Sequence, residues 1–222
     1  IEWLADTPIV APALKEFTAY FQHFLKEEIM GQIEQSDGLV KQITEDNKLL
    51  VSALTLIQQE EAIYDHLIEE LTEQLQEKCV AAYPKLANRG WRVQNWGSIY
   101  KRYTGIGFTP DLDTIGVGFE SNGKGFIDIY YGIWCDKAKT SDAIYQSISE
   151  YFSEISKVED TKYNETWLCW KNYRESHLRN WTPETWQDVS TGKLAEAIFQ
   201  SWQPFLNSIN SYFEQGLPFE SK

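Results

Sequence analysis

The segment from Trp91 to Asp136 constrains the fold most, because its glycines sit among aromatic and β-branched residues. Thr114-Ile115-Gly116-Val117-Gly118-Phe119 and Phe126-Ile127-Asp128-Ile129-Tyr130-Tyr131 read as neighbouring strands, with a turn at Ser121-Asn122-Gly123-Lys124-Gly125. Residues 91–136 are predicted to form an antiparallel meander of about four strands. The pairs Gly105-x-Gly107 and Gly116-x-Gly118 are not phosphate loops, since no helix start follows them. Alternate glycines leave one strand face flat, and the preferred occupant is a ring such as Trp91, Trp96 or Trp134 rather than a flat ligand.

The flanks read as helix. Leu14, Phe17, Phe21, Phe24, Leu25 and Ile29 recur at helical spacing after Pro12. From Asp46 to Tyr83 a heptad-like seam runs through Leu50, Leu54, Ile57, Glu61, Tyr64, Ile68, Leu71 and Leu75. Such a seam needs a partner helix, so Leu54, Ile57, Tyr64, Ile68 and Leu71 are expected to be buried. A hairpin with the preceding helix is preferred to a homodimer through the long helix, because Glu61 interrupts the seam. Thr140-Ser141-Asp142 caps another helix, Thr166–Trp170 suits one more strand, and Thr182-Pro183-Glu184 is a strong helix start. A last helix spans Gly192 to Glu214. The expectation is an α+β fold: long N-terminal helices, a central, mostly antiparallel sheet of about four to five strands, and C-terminal helices packed on it. A helical region at 1–84 precedes an α+β domain at 85–222, with the sheet at 91–136 and helices plus one strand at 140–215; the two can also form one continuous domain.

Composition narrows the function classes. Hydrophobic residues at 42% and aromatics at 14% argue for a folded globule. No apolar run approaches the ~20 residues that span a bilayer, so no membrane partner is expected. The chain starts at Ile1, which suits a processed product or a piece of a longer protein. Cys79, Cys135 and Cys169 are widely spaced and suit a reducing cytoplasm. The net charge of −13 is uneven: residues 1–80 hold 16 acids and 5 bases, residues 81–180 hold 12 acids and 13 bases. Between Ala81 and Pro110 there are bases and no acid, so a polyanion contact would begin there. Arg92, Trp96, Lys101, Arg102 and Tyr103 interleave cations with rings and are the candidate nucleic-acid contacts. The alternative for them is a core layer with snorkelling basic side chains.

The run Tyr100–Phe108, the later Tyr131-Gly132-Ile133 and Arg179-Asn180-Trp181-Thr182, together with the long polar helix before the sheet, resemble the C-terminal part of bacterial and phage proteins of the PD-(D/E)XK nuclease superfamily. The likeness runs over residues 10–215. It implies an accessory half whose catalytic core lies nearer the N-terminus, with another domain of the same parent protein as a partner. Pro110-Asp111 and Asp128 match the superfamily's acids, while Tyr130 stands where its lysine would be. Asp111, Asp113, Glu120 and Asp128 are the candidate metal set, since carboxylate oxygens suit Mg2+. Hydrolysis without the lysine would lack its usual charge stabilisation. The expected function is a non-catalytic accessory module contacting nucleic acid, with no cofactor. Mg2+ enters only under the alternative of a nuclease using Asp111 and Asp128, and a third reading is a helix-mediated oligomerisation or protein-interaction module.

Overall fold

A computed structural model describes residues 36–110, 115–138, 140–159 and 161–216. The expected first helix, Asp111 and Asp113 lie outside the described residues. Eight helices and one five-stranded sheet make up the described residues. The helices are α1 (Ser36–Glu45), α2 (Asn47–Gln58), α3 (Glu60–Ala82), α4 (Pro84–Ala87), α5 (Asp142–Glu159), α6 (Ser176–Arg179), α7 (Pro183–Ser190) and α8 (Lys193–Glu214). The strands are β1 (Arg92–Trp96), β2 (Gly105–Thr109), β3 (Ile115–Gly123), β4 (Ile127–Cys135) and β5 (Trp167–Asn172), antiparallel throughout in the order β1-β2-β3-β4-β5. The fold is α+β.

Local chemistry explains the boundaries. Asp46 caps α2, its carboxylate accepting from the N–H groups of Lys48 and Leu49 at 2.8 and 3.1 Å. Pro183 opens α7, with the Thr182 N–H donating to Thr185 Oγ1 at 3.2 Å. Gly192, at φ +70°, precedes α8. The tight turn after β3 uses Gly125 at φ +75°.

The chain divides into two compact units, Ile1–His66 and Leu67–Lys222. This boundary lies within the long helical stretch rather than at 84/85, because Ile68, Leu71, Leu75 and Cys79 of α3 are buried. The expectation of a continuously buried seam is corrected here. Leu54 and Ile57 are 50% and 65% exposed, and no residue of α2 is buried. Among the described residues the 3.5-residue repeat continues through both helices, but its buried positions begin at Ile68 of α3.

The sheet's two faces differ in kind. One carries Val93, Phe108, Val117, Ile133 and Cys169 in one row and Ile106, Phe119 and Tyr131 in the next. The C-terminal helices pack on this side, where Trp202 and Trp181 meet Phe119 at 6.2 and 5.5 Å and Phe205 meets Tyr131 at 5.8 Å. All of the apolar stripe of α8 expected from its spacing, from Leu194 to Phe213, is buried. The opposite face is floored by Gly105, Gly107, Gly116, Gly118 and Gly132. A Cβ at Gly107 or Gly116 would lie 2.3 Å from the Trp134 ring, and one at Gly105 would lie 2.4 Å from Trp96. The protein's own indoles therefore fill the flat face. Trp91 instead packs against Phe108 and Phe213.

Candidate functional site

One register row crosses the whole sheet at its lower end: Trp96, Gly105, Glu120, Tyr130 and Asn172. Directly paired residues share a face, so these side chains stand on the glycine side. The Tyr130 hydroxyl and the Trp96 Nε1–H both donate to the Glu120 carboxylate, the latter at 3.3 Å. Burial pushes the Glu120 carboxyl up from its ordinary value, outweighing those two hydrogen bonds. Burial, then the Glu120 contact, pushes the Tyr130 phenol well up, so it remains a protonated donor. Tyr130 also packs edge-on against Trp167 and tilted against Trp170, both at 5.1 Å. From Trp96 through Trp134 and Trp167 to Tyr130 and Trp170 the rings touch in an unbroken layer.

Asp128 sits at the start of β4, two residues before Tyr130. Its backbone is at φ +56°. Arg179 donates to Oδ1 from Nε at 3.0 Å and from Nη2 at 2.6 Å; Asn172 reaches the same oxygen at 3.4 Å, and Asn122 reaches Oδ2 at 3.2 Å. The Asp128 N–H donates to the Asn180 side-chain oxygen at 2.9 Å. The Arg179 hydrogen bonds, followed by Asn122, hold its carboxyl below the usual carboxylate range. Asp128 is thus the hub that ties α6 and the chain after it to the sheet.

The β1–β2 loop closes over the same end. Thr104 Oγ1 donates to the Ser98 carbonyl at 2.6 Å, the Tyr103 N–H to the Ser121 carbonyl at 2.8 Å, and the Gly125 N–H to the Ile99 carbonyl at 2.7 Å. Arg102 grips Asn122 through its carbonyl at 2.7 Å and its side-chain oxygen at 2.9 Å, with the guanidinium over the Tyr103 ring at 5.2 Å. Tyr103 is held at φ +61° while 53% exposed, and Tyr100 and Lys101 are exposed beside it. The described non-glycine residues with positive φ (Tyr103, Phe126 and Asp128) all lie at this end of the sheet. Left-handed backbone costs roughly 1–2 kcal/mol per non-glycine residue, and strain of this kind gathers at binding sites.

Of the nucleic-acid candidates, the structure brings Trp96, Lys101, Arg102 and Tyr103 to one place. Arg92 is exposed on the same face of β1 but at the far end, paired with Thr109. Of the metal set, Asp111 and Asp113 lie outside the described residues, and Glu120 and Asp128 each have other partners. Thr109, two residues before Asp111, donates its hydroxyl to the Ile115 carbonyl, and Ile115 is in register with Cys135. Both oxygens of Asp128 are already engaged, and Glu120 accepts from two donors, so the described carboxylates do not fit a Mg2+ site. Among the described residues no group of three His, Cys, Asp or Glu side chains is placed to hold a metal. All three thiols are buried, and burial pushes Cys79 up to about 12 and raises Cys135, which leaves neither a ready nucleophile.

Sequence reasoning missed Arg179 and Asn180 as partners of Asp128, which lie more than fifty residues further along the chain. The motif Arg179-Asn180-Trp181-Thr182 stood out, but nothing in its spacing names its partner. Lys162 was also missed: it pairs by backbone with Trp170 and sets its ammonium 5.0 Å from that ring's centroid. No family model, curated protein or solved structure matches this chain. No described helix is long and apolar enough to cross a membrane.

Proposed function

We propose that the sheet domain is a non-catalytic binding module whose contact surface for single-stranded nucleic acid is the β1–β2 loop and the strand ends beneath it. The observation that carries this reading is the strained, fastened loop that holds Tyr100, Lys101 and Tyr103 exposed beside Arg102. Exposed rings offer stacking that tolerates any base, and the cations meet the backbone phosphates. The resemblance to the accessory part of nuclease-superfamily proteins supports the same class of role. Catalysis is assigned no residue: Tyr130 serves Glu120, and Asp128 serves Arg179.

The test is fluorescence anisotropy with a labelled single-stranded oligonucleotide at low salt. Lys101→Glu combined with Tyr103→Asn is expected to abolish most binding, and asparagine tolerates the left-handed backbone, so the fold is kept. Arg92→Glu, at the far end of β1, is expected to retain most of it. Loss on Arg92→Glu alone would move the contact to the other end of the sheet and sink the assignment.

A further inference from the structure

Lys162 lies outside the five strands yet adds to the sheet at the free side of β5. Its N–H donates to the Trp170 carbonyl, and the Trp170 N–H donates to the Lys162 carbonyl, both at 2.8 Å. Directly paired residues share a face, and the Lys162 ammonium stands 5.0 Å from the centroid of the Trp170 ring. Trp170 is in register with Gly132, so it stands on the glycine side, where its ring meets Tyr130 at 5.1 Å. Lys162 is exposed and Trp170 half-buried, so both present atoms to the surface. A lysine at a sheet edge discourages pairing with another chain, which is one use for it. Its place across the sheet from the β1–β2 loop gives it a second.

The loop joins the sheet on the line of β2, where the Tyr103 N–H donates to the Ser121 carbonyl of β3. From that line to β5, where the ammonium stands over Trp170, there are three strand spacings, about 14 Å at ~4.8 Å each. The interval is not empty. Burial and the Glu120 contact raise the Tyr130 phenol, and Tyr103 is near enough to add to them. Tyr130 in turn touches Trp170. Beside this row of rings, Arg102 holds Asn122 and Asn122 donates to Asp128. The Arg179 and Asn122 hydrogen bonds hold the Asp128 carboxyl low, and the charge of Lys162 contributes. The acids along the way have partners: Arg179 donates twice to Asp128, and Glu120 accepts from Tyr130 and Trp96. Cations therefore stand at both ends, Lys101 and Arg102 at one and Lys162 at the other, with Tyr130 and Trp170 half-buried between them. We propose that Lys162 is the second anchor of the single-strand site, so that a strand seated on the loop crosses the end of the sheet past Tyr130 and sets a later phosphate against this ammonium. The inference rests on the single-strand reading above and adds to it a direction and a length. At the ~3.4 Å between phosphates of a stacked strand, the crossing takes about four nucleotides. Trp170 positions the ammonium at the edge rather than meeting the strand itself.

The experiment compares labelled oligothymidylates of three and ten residues, bound to the full chain at about 50 mM salt and read by fluorescence anisotropy. The trimer is too short to reach from the loop to Lys162, and the ten-mer spans the distance. Lys162→Gln is expected to leave trimer binding unchanged and to weaken the ten-mer between roughly three- and eightfold, the worth of one phosphate contact on a single strand. Lys162→Arg, which keeps the charge, is expected to retain ten-mer binding. Lys101→Glu with Tyr103→Asn serves as the reference and is expected to weaken both lengths. If that loop variant binds both lengths as wild type does, or if wild type binds neither, the single-strand reading fails and this proposal with it. If the loop variant loses both lengths while Lys162→Gln holds the ten-mer as tightly as wild type, the reading stands and the proposal is overturned, leaving Lys162 as an edge guard. A loss on Lys162→Gln that is equal for the two lengths would overturn it as well, because the contact would not lie at the far end of a crossing strand.

Discussion

Glu120 and Asp128 are diagonal neighbours across β3 and β4, and their surroundings drive their protonation in opposite directions. Glu120 is raised by burial, so between the ordinary carboxyl value of 4.5 and its own value the native chain holds a proton that the unfolded chain has lost. Stability therefore falls as pH rises through that window, and Glu120→Gln is expected to flatten the fall when urea midpoints are measured against pH. For Asp128 the sign reverses. Its carboxyl lies below the ordinary 3.8, so its contribution is present above that value and is lost as pH falls through the lowered one. Asp128→Asn is expected to lose stability at neutral pH and to match wild type in strong acid. Both side chains of the Arg179–Asp128 pair are partly exposed, at 46% and 38%, and the cost is of the order of 1 kcal/mol or less. Neither acid is expected to support hydrolysis: DNA or RNA incubated with the chain in Mg2+ or Mn2+ should stay intact on a gel. Cleavage abolished by Asp128→Ala would show that the acid is catalytic after all. The sequence pointed to Glu120, Asp128 and the loop residues as notable, but not to the partners the fold gives them, Trp96 and Tyr130 for Glu120 and Arg179 and Asn180 for Asp128.

Among the elements, α2 and α3 share one heptad pattern and have opposite fates. Leu71 is fully buried, and Leu71→Ala is expected to cost about 2–5 kcal/mol. Leu54 is half exposed, and Leu54→Ala should fall within about 0.5 kcal/mol of wild type. Chemical denaturation of the two variants checks this, and similar costs would mean that both helices reach a core. Hydrophobic spacing revealed the helices because it records a face, but a face does not say whether anything lies against it. The strands were legible for a stronger reason. Glycines at alternate positions demanded a ring on the flat side, and Trp134 and Trp96 are there. Gly132 is the sharpest case: an added Cβ would lie 2.0 Å from the Cys169 carbonyl oxygen, on backbone that cannot swing aside. Gly132→Ala is expected to destabilise by at least about 1–3 kcal/mol and to loosen the β4–β5 pairing. The bulge between Ile133 and Trp134 lies just beyond it and left no mark in the residue pattern.

For the molecule as a whole, charge separates along the chain. Residues 1–80 carry a net −11 from 16 acids and 5 bases, while residues 81–180 carry +1 from 12 acids and 13 bases. Under the proposed role, a polyanion would be repelled by the chain in general and would meet the basic–aromatic loop at one end of the sheet, which predicts weak and salt-dependent contact. The measurement that bears most directly on this is a salt titration of oligothymidylate binding to the full chain. Affinity near the ~10⁻⁴–10⁻⁶ M of non-specific contacts is expected at physiological salt. With Lys101 and Arg102 each meeting a phosphate, the logarithm of the binding constant should fall with that of salt at a slope of about −1.4, from about −0.7 per contact on a single strand. Lys101→Glu with Tyr103→Asn should weaken binding and flatten that slope together. Binding that ignores salt, that survives this double substitution, or that is absent even at low salt would contradict the account.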